Sequence, residues 1–342
     1  MANTPIYVRS PRMITISGTA NQATKIELYL WNDPGSIPGT ATYTLEKPIP
    51  SNTTTNVYYD ISPYCREYIS HSTYTEVSSL TAAPVNEYCY CTVKTYKVGV
   101  LQSTLTYICF DGYGYYTDGY NPSFTQSYLT EGTYYVDKDD TCGGLYYHND
   151  LVNTWEATYT GLQSGGTSTV TLTHEVGYIP YVHSSYLGEG NKLEIKKNSV
   201  VQATYYFYNE QECKYTTYHC DFVNRFGHWQ RLVFFKASVD EFEMTNTEFN
   251  SMSSDVDYTT TEARRQVFNV NGIDKITCNT GWVGENYSSV MKELLLSETV
   301  LLDDKPVNVL TKALKLQKHI NDKTINYQVQ FAYAYDTINN VI

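Results

Sequence analysis

The residue types best suited to hold a metal ion crowd into one stretch, Cys213, His219, Cys220 and His228. A structural zinc site needs four soft or borderline ligands converging, usually as two close pairs on turns. His219 and Cys220 are adjacent, and adjacent side chains on a strand point to opposite faces, so both reach one ion only if the chain bends between them. Cys213 and His219 share parity, and the stretch reads as a packed strand with a histidine on its wet face. The other cysteines, Cys65, Cys89, Cys91, Cys109, Cys142 and Cys278, lack paired Cys-x-x-Cys spacing and read as reduced, mostly buried thiols. Oxygen ligands at Asp111, Asp118 and Asn121 do not match the calcium loop with its closing glutamate, and turn formation accounts for them. No cofactor is expected.

Catalytic patterns are equally sparse. The sequence contains neither Gly-x-Ser-x-Gly nor a Gly-rich loop ending in Gly-Lys-Ser/Thr. The carboxylate pairs Asp139-Asp140, Asp240-Glu241 and Asp303-Asp304 are sequence neighbours rather than groups facing across a cleft, and they read as solvated turns. A non-enzymatic role is the expectation.

Interfaces are the better-supported chemistry. Among 342 residues stand 35 Tyr against 11 Phe and 4 Trp. Tyrosine joins a large apolar ring to a hydroxyl that needs water or a partner, which suits strand positions and surfaces where proteins meet. Net charge is −12, so a phosphate-gripping surface is not expected. A wall that DNA slides past without sticking remains compatible with that charge. Neither a basic leader with an apolar core at Met1–Ser10 nor a run of about 18 apolar residues occurs, so synthesis in the cytoplasm and no membrane partner are expected.

The elements that must position these residues are mostly strands. Ile26, Leu28 and Leu30 alternate with Lys25, Glu27 and Tyr29, the pattern of a half-buried strand, and Asn32-Asp33-Pro34-Gly35 predicts a turn before a strand near Ala41–Leu45. Ser62-Pro63 predicts the capped start of a short helix over 62–70. Strands are expected at Tyr88–Lys97, Ser103–Phe110, Thr154–Thr160, Thr169–Thr173, Lys192–Ile195, Val200–Tyr208, Val307–Thr311 and Ile325–Tyr335. Tyr287, Val290, Met291, Leu294 and Leu295 recur at helical spacing, predicting a helix near 286–296. No fixed-period repeat, heptad run or collagen-like stretch is evident. The fold class is therefore mainly β, two or three antiparallel sandwich-like domains with one or two short helices. The boundaries read as 1–125, holding a Tyr/Gly loop at 111–122, then 126–255, then 256–342, with the last two as one domain the alternative division.

The stretch Cys220-Asp221-Phe222-Val223-Asn224-Arg225-Phe226-Gly227-His228-Trp229-Gln230-Arg231-Leu232-Val233-Phe234-Phe235 resembles a segment of tail-associated virion proteins of phages infecting Bacteroides and relatives, especially crAss-like phages. Asn279-Thr280-Gly281-Trp282, Glu293-Leu294-Leu295-Leu296-Ser297 and Pro306-Val307-Asn308-Val309 are similar to the same family in the same order. The resemblance extends at low specificity to the Gly-Tyr-Gly-Tyr loop and the opening strand, and brings no catalytic residue. It implies a ring or adaptor protein of a short non-contractile tail, in the virion, continuing the DNA channel below the portal. The implied partners are copies of itself, twelve-fold or six-fold by analogy, adjacent tail or portal rings, and DNA passing without specific binding. A receptor- or glycan-binding tail protein is the alternative, and a polysaccharide-degrading enzyme a more distant one. The interface candidates are Tyr113, Tyr115, Tyr116, Tyr120, Asn224, Phe226, Trp229, Tyr333 and Tyr335.

Overall fold

The computed structural model describes residues 3–32, 36–50, 55–71, 73–124, 126–138, 140–148, 150, 152–251, 260–261, 263–314 and 324–339. The chain is mainly β and forms two compact units. Unit 1 comprises Met1–Gln211, Asp221–Leu232 and Asn286–Thr299, and unit 2 comprises Glu212–Cys220, Val233–Glu285 and Val300–Ile342. The division falls elsewhere than at residues 125 and 255. Asp33–Gly35 of the expected turn lie outside the described residues.

Unit 1 opens with a sandwich made from β1 (Thr4–Tyr7), β2 (Met13–Gly18), β3 (Ala23–Trp31), β4 (Tyr43–Pro48), β5 (Thr55–Asp60), helix α1 (Ser62–Arg66), β7 (Tyr88–Lys97) and β8 (Val100–Phe110), while the short β6 (Thr81–Ala82) pairs in the sheets that follow. One sheet has the order β1-β8-β7-β3-β4, with β1 parallel to β8, and β2 pairs with β5 in a second sheet. Ile14, Ile16, Val57 and Tyr59 of the β2-β5 pair close over Ile26, Leu28, Cys91, Val93 and Cys109 of the larger sheet, all buried. Helix α1 does not start on a Ser62 cap. Ile61 is the cap residue and makes no side-chain cap bond, because the Ser62 hydroxyl is spent elsewhere, accepting from Arg12 N at 2.8 Å and donating to Ser10 O at 2.7 Å.

The second half of unit 1 repeats this plan. After the short β9 (Gln126–Ser127) come β10 (Gly132–Asp137), β11 (Gly143–His148), β12 (Trp155–Gly161), β13 (Thr167–Thr171), β14 (Val176–Pro180), β15 (Asn191–Lys197) and β16 (Val200–Glu210). The sheet order β10-β16-β15-β12-β13 reproduces β1-β8-β7-β3-β4, again with the first strand parallel to the last, and β11 pairs with β14 as β2 does with β5. This is the Greek-key strand order of immunoglobulin-like sandwiches, present twice.

The expectation of no repeat is therefore corrected. Two copies are too few to reveal a period, and the side-chain likeness is concentrated in one hairpin. Lys97, Val100, Gln102 and Thr104 recur one hundred positions later as Lys197, Val200, Gln202 and Thr204. Both turns place two residues at positive φ, Val98 and Gly99 at 49° and 74°, Asn198 and Ser199 at 48° and 66°, the geometry that matches the twist of a tight hairpin. Both hairpins carry a register irregularity at the same place, after Thr95 and after Ile195. Each glutamine side chain donates to the carbonyl two residues back, at 3.1 Å in both.

Strands β17 (Tyr218–Val223) and β18 (Trp229–Phe234) each begin in one unit and end in the other. Helix α2 (Tyr287–Leu295) belongs to unit 1 and buries Tyr287, Val290, Met291 and Leu294, as its spacing predicts. Unit 2 is built on β19 (Lys236–Asn250), β20 (Arg265–Gly284), β21 (Val300–Leu302), β22 (Lys305–Val309) and β23 (Thr324–Tyr333), ordered β21-β22-β23-β20-β19. Ile325, Tyr327, Val329 and Phe331 of β23 are buried on one face as their alternation requires.

Candidate functional site

Two sequence-predicted candidates meet in unit 1, the loop at 111–122 and the turn at 224–229. Gly227, at φ 83°, lies so close to the loop that a Cβ there would stand 2.6 Å from the backbone nitrogens of Asp111 and Gly112. Tyr113 N donates to Arg225 O at 2.9 Å. Tyr115 sits against two cations, with the Arg225 guanidinium 4.5 Å and the Lys292 ammonium 4.1 Å from its ring centre. Asp118 accepts from Arg225 at 2.7 Å, and Tyr113 packs edge-on to Tyr115 at 5.8 Å. The two segments brace each other.

That bracing removes several candidates from the surface. Asn224 and Trp229 are fully buried and Tyr113 nearly so, which corrects their reading as interface residues. The Asn224 side chain is consumed in holding the turn, its Oδ1 accepting from Phe226 N at 3.0 Å and His228 N at 3.1 Å while Nδ2 donates to Gln230 at 3.2 Å. Trp229 packs edge-on to His71 and Tyr74. Phe226 is half-buried. Tyr116 and Tyr120 remain open, and with Ser10, Pro11, Tyr115, Asn121 and Pro122 they line a groove of about 470 Å³. In unit 2, Tyr333 is half-buried and Tyr335 exposed, with ring centres 5.6 Å apart.

The potential ligands disperse. Asp111 meets Arg66 at 3.3 Å, Asp118 meets Arg225, and the Asn121 amide bridges Met13 N and O. His228 shares a hydrogen bond with Ser127 Oγ at 2.7 Å, His219 N donates to Asp303 at 2.8 Å, and Cys213 is exposed. Among the described residues no three His, Cys, Asp or Glu side chains converge as a metal ion requires. Nor does any helix among them have the length and apolarity to cross a membrane.

Two carboxylate pairs do not sit in the solvated turns expected of them. Asp240 and Glu241 lie inside β19. Asp140 is half-buried beside Arg231, whose Nη1 lies 3.2 Å from it, while Asp221 takes the guanidinium side-on at 2.8 and 3.0 Å. Asp139 lies outside the described residues, and Asp303-Asp304 do form a turn, at φ 46° and 63°. Burial also shifts acids upward, Glu87 and Glu293 among them. Glu87, with Tyr178 donating to it, is pushed up to about 7 chiefly by desolvation, and the buried Glu293 is raised for the same reason while Thr130 and Arg225 N donate to it.

The largest feature that sequence reasoning missed is in unit 2. The last residue of β20 paired to β23 on the distal side is Lys275. Beyond it Asn271, Gly272 and Asp274 bond to Asp336, Thr337 and Ile338, and among the described residues Arg265–Val270 continue with β19 alone. At about 3.3 Å per residue this two-stranded arm runs roughly 20 Å past the sheet. Phe242, Met244 and Val267 stand exposed on one face, and Val239, Phe249 and Phe268 on the other. Alternation in these strands is real but apolar on both faces, so it gave no one-sided hydrophobic signal to read.

No protein-family model matches the chain, and no curated protein matches it.

Proposed function

We propose that the chain is a non-enzymatic structural protein that assembles with copies of itself, as a ring or adaptor component of a short phage tail continuing the DNA channel. The observation that carries the assembly reading is the arm of β19 and β20. A two-stranded ribbon is marginal in water by itself, and this one exposes large apolar side chains on both faces. Such a ribbon is best supported by a neighbouring surface. The phage assignment rests on the resemblance of Cys220–Phe235 and the segments that follow it, and the net charge of −12 suits a non-adhesive channel wall.

The test is cryo-electron microscopy of particles that carry the protein. A closed symmetric ring below the portal is expected, and absence from purified virions would refute the assignment. A glycan-binding role is favoured by one observation, the groove at Tyr116 and Tyr120, because open aromatic faces stack on sugar rings. Binding of purified chain to a glycan array, lost in Tyr116→Ala, would support that second reading.

A further inference from the structure

The duplicated sandwiches of unit 1 share an unusual edge. Strand β1 pairs only with Tyr107–Phe110 of β8, and β10 only with Tyr205–Glu210 of β16. Among the described residues no strand lies along the outer side of Val100–Thr106 or of Val200–Thr204. Edge strands normally carry charges, prolines or covers that prevent pairing with another chain. Val100-Leu101-Gln102-Ser103-Thr104-Leu105-Thr106 carries none of these, and Val100, Leu101 and Leu105 are exposed. Phe110 O accepts from the N–H of Val8, the residue that follows β1. The strand period then turns the backbone groups of Thr104 and Thr106 to that same open side.

The two edges differ in their guarding. In the second sandwich, Glu131 accepts from Thr204 N at 3.2 Å and so covers an outward amide, and the hairpin carries Glu194 and Glu210 beside Lys192, Lys196 and Lys197, two of which pair with Glu194. In the first, the hairpin Tyr88–Phe110 holds Lys94 and Lys97 and no acid, within a chain of net charge −12. Strand β19, the last strand of the unit 2 sheet, is also a free edge and carries Asp240, Glu241, Glu243 and Glu248 against the single Lys236. The open stretch of β8 spans about 23 Å, shorter than the roughly 50 Å edge that the 15 residues of β19 present.

We infer that the β8 edge of one copy of the chain receives the β19 edge of another copy's arm by strand addition, guided by the lysines of β7 and the acids of β19. Backbone pairing supplies the contact, and charge sets which of the twin edges is used. Because the arm and the edge are different surfaces, the contact is heterologous and propagates from copy to copy, closing into a ring when the rotation allows. This inference rests on the assembly reading above.

The experiment compares wild type, Thr104→Pro and Thr204→Pro by light scattering over a concentration series, with circular dichroism to verify folding. Proline at 104 removes an outward amide hydrogen and leaves the β7 pairing intact. Thr104→Pro is expected to weaken self-association roughly tenfold or more, while Thr204→Pro leaves it unchanged. Should Thr104→Pro fail to fold, Asp240→Lys on the exposed β19 replaces it, with the same loss expected. Assembly of the wild type that survives the substitution at 104, or at 240 where 104 does not fold, overturns the docking and leaves the assembly reading standing. A wild type that stays monomeric overturns both. Equal loss from Thr104→Pro and Thr204→Pro overturns the choice of edge.

Discussion

Replacing Arg231 with methionine removes a guanidinium from a largely buried cluster in unit 1. Arg231 is 7 % exposed and Asp221 is fully buried. The guanidinium makes two side-on bonds to Asp221, reaches both oxygens of Asp140 at 3.2 Å, and lies 4.5 Å from the centre of the Tyr74 ring. Burial, the largest single effect, lowers its affinity for the proton, but Asp221, Tyr74 and Asp140 together outweigh it and hold the guanidinium charged. Without it, the fully buried Asp221 carboxylate loses both side-on bonds, with the half-buried Asp140 losing its cation too, which costs about 3–5 kcal/mol. That is a large share of the roughly 5–15 kcal/mol stability of a folded domain. Urea denaturation followed by tyrosine and tryptophan fluorescence measures the loss. The pair Arg231→Met with Asp221→Asn should recover part of it, since one of the stranded charges is then gone. A loss below about 1 kcal/mol for the single substitution, or no recovery in the double, would refute the reasoning.

Other outcomes follow from burial. Glu87 has its folded-state value raised from 4.5 to about 7, so the stability it contributes is fully present below pH 4.5 and lost as pH rises through 7. Glu87→Gln should therefore gain roughly 3 kcal/mol on wild type between pH 4.5 and 8, as an upper figure, with little difference at the acid end; parallel curves would contradict this. Gly227→Ala forces a side chain into a φ of 83° and onto the Asp111-Gly112 backbone, and should cost about 2 kcal/mol or more while opening the 111–122 loop to limited proteolysis. Seven of the cysteines are buried and Cys213 is exposed, so a thiol reagent should label one residue in the native chain and all eight after denaturation.

Legibility in the sequence followed the physical basis of each signal. Strands with one buried face, such as β3 and β23, were readable from alternation. The tight hairpins at Val98-Gly99 and Asn198-Ser199 occur where turn residues separate two runs, and α2 where apolar residues recur at helical spacing. What stayed hidden depended on contacts distant in sequence. Trp229 looks like a surface residue until His71 and Tyr74, far along the chain, pack against it, and Asn224 until its side chain is spent inside its own turn. Asp140 looks solvated until Arg231, far along the chain, is brought to it. The arm escaped because apolar and charged residues share both of its faces, and the duplication because its two halves agree in strand order far more than in side chains.

The central claim is that this chain assembles with itself. Electron microscopy of the purified chain at micromolar concentration, with its mass measured in parallel, tests that most directly. Closed rings of a single copy number are predicted. A particle of 39.0 kDa at every concentration, with no rings in the images, would contradict the account.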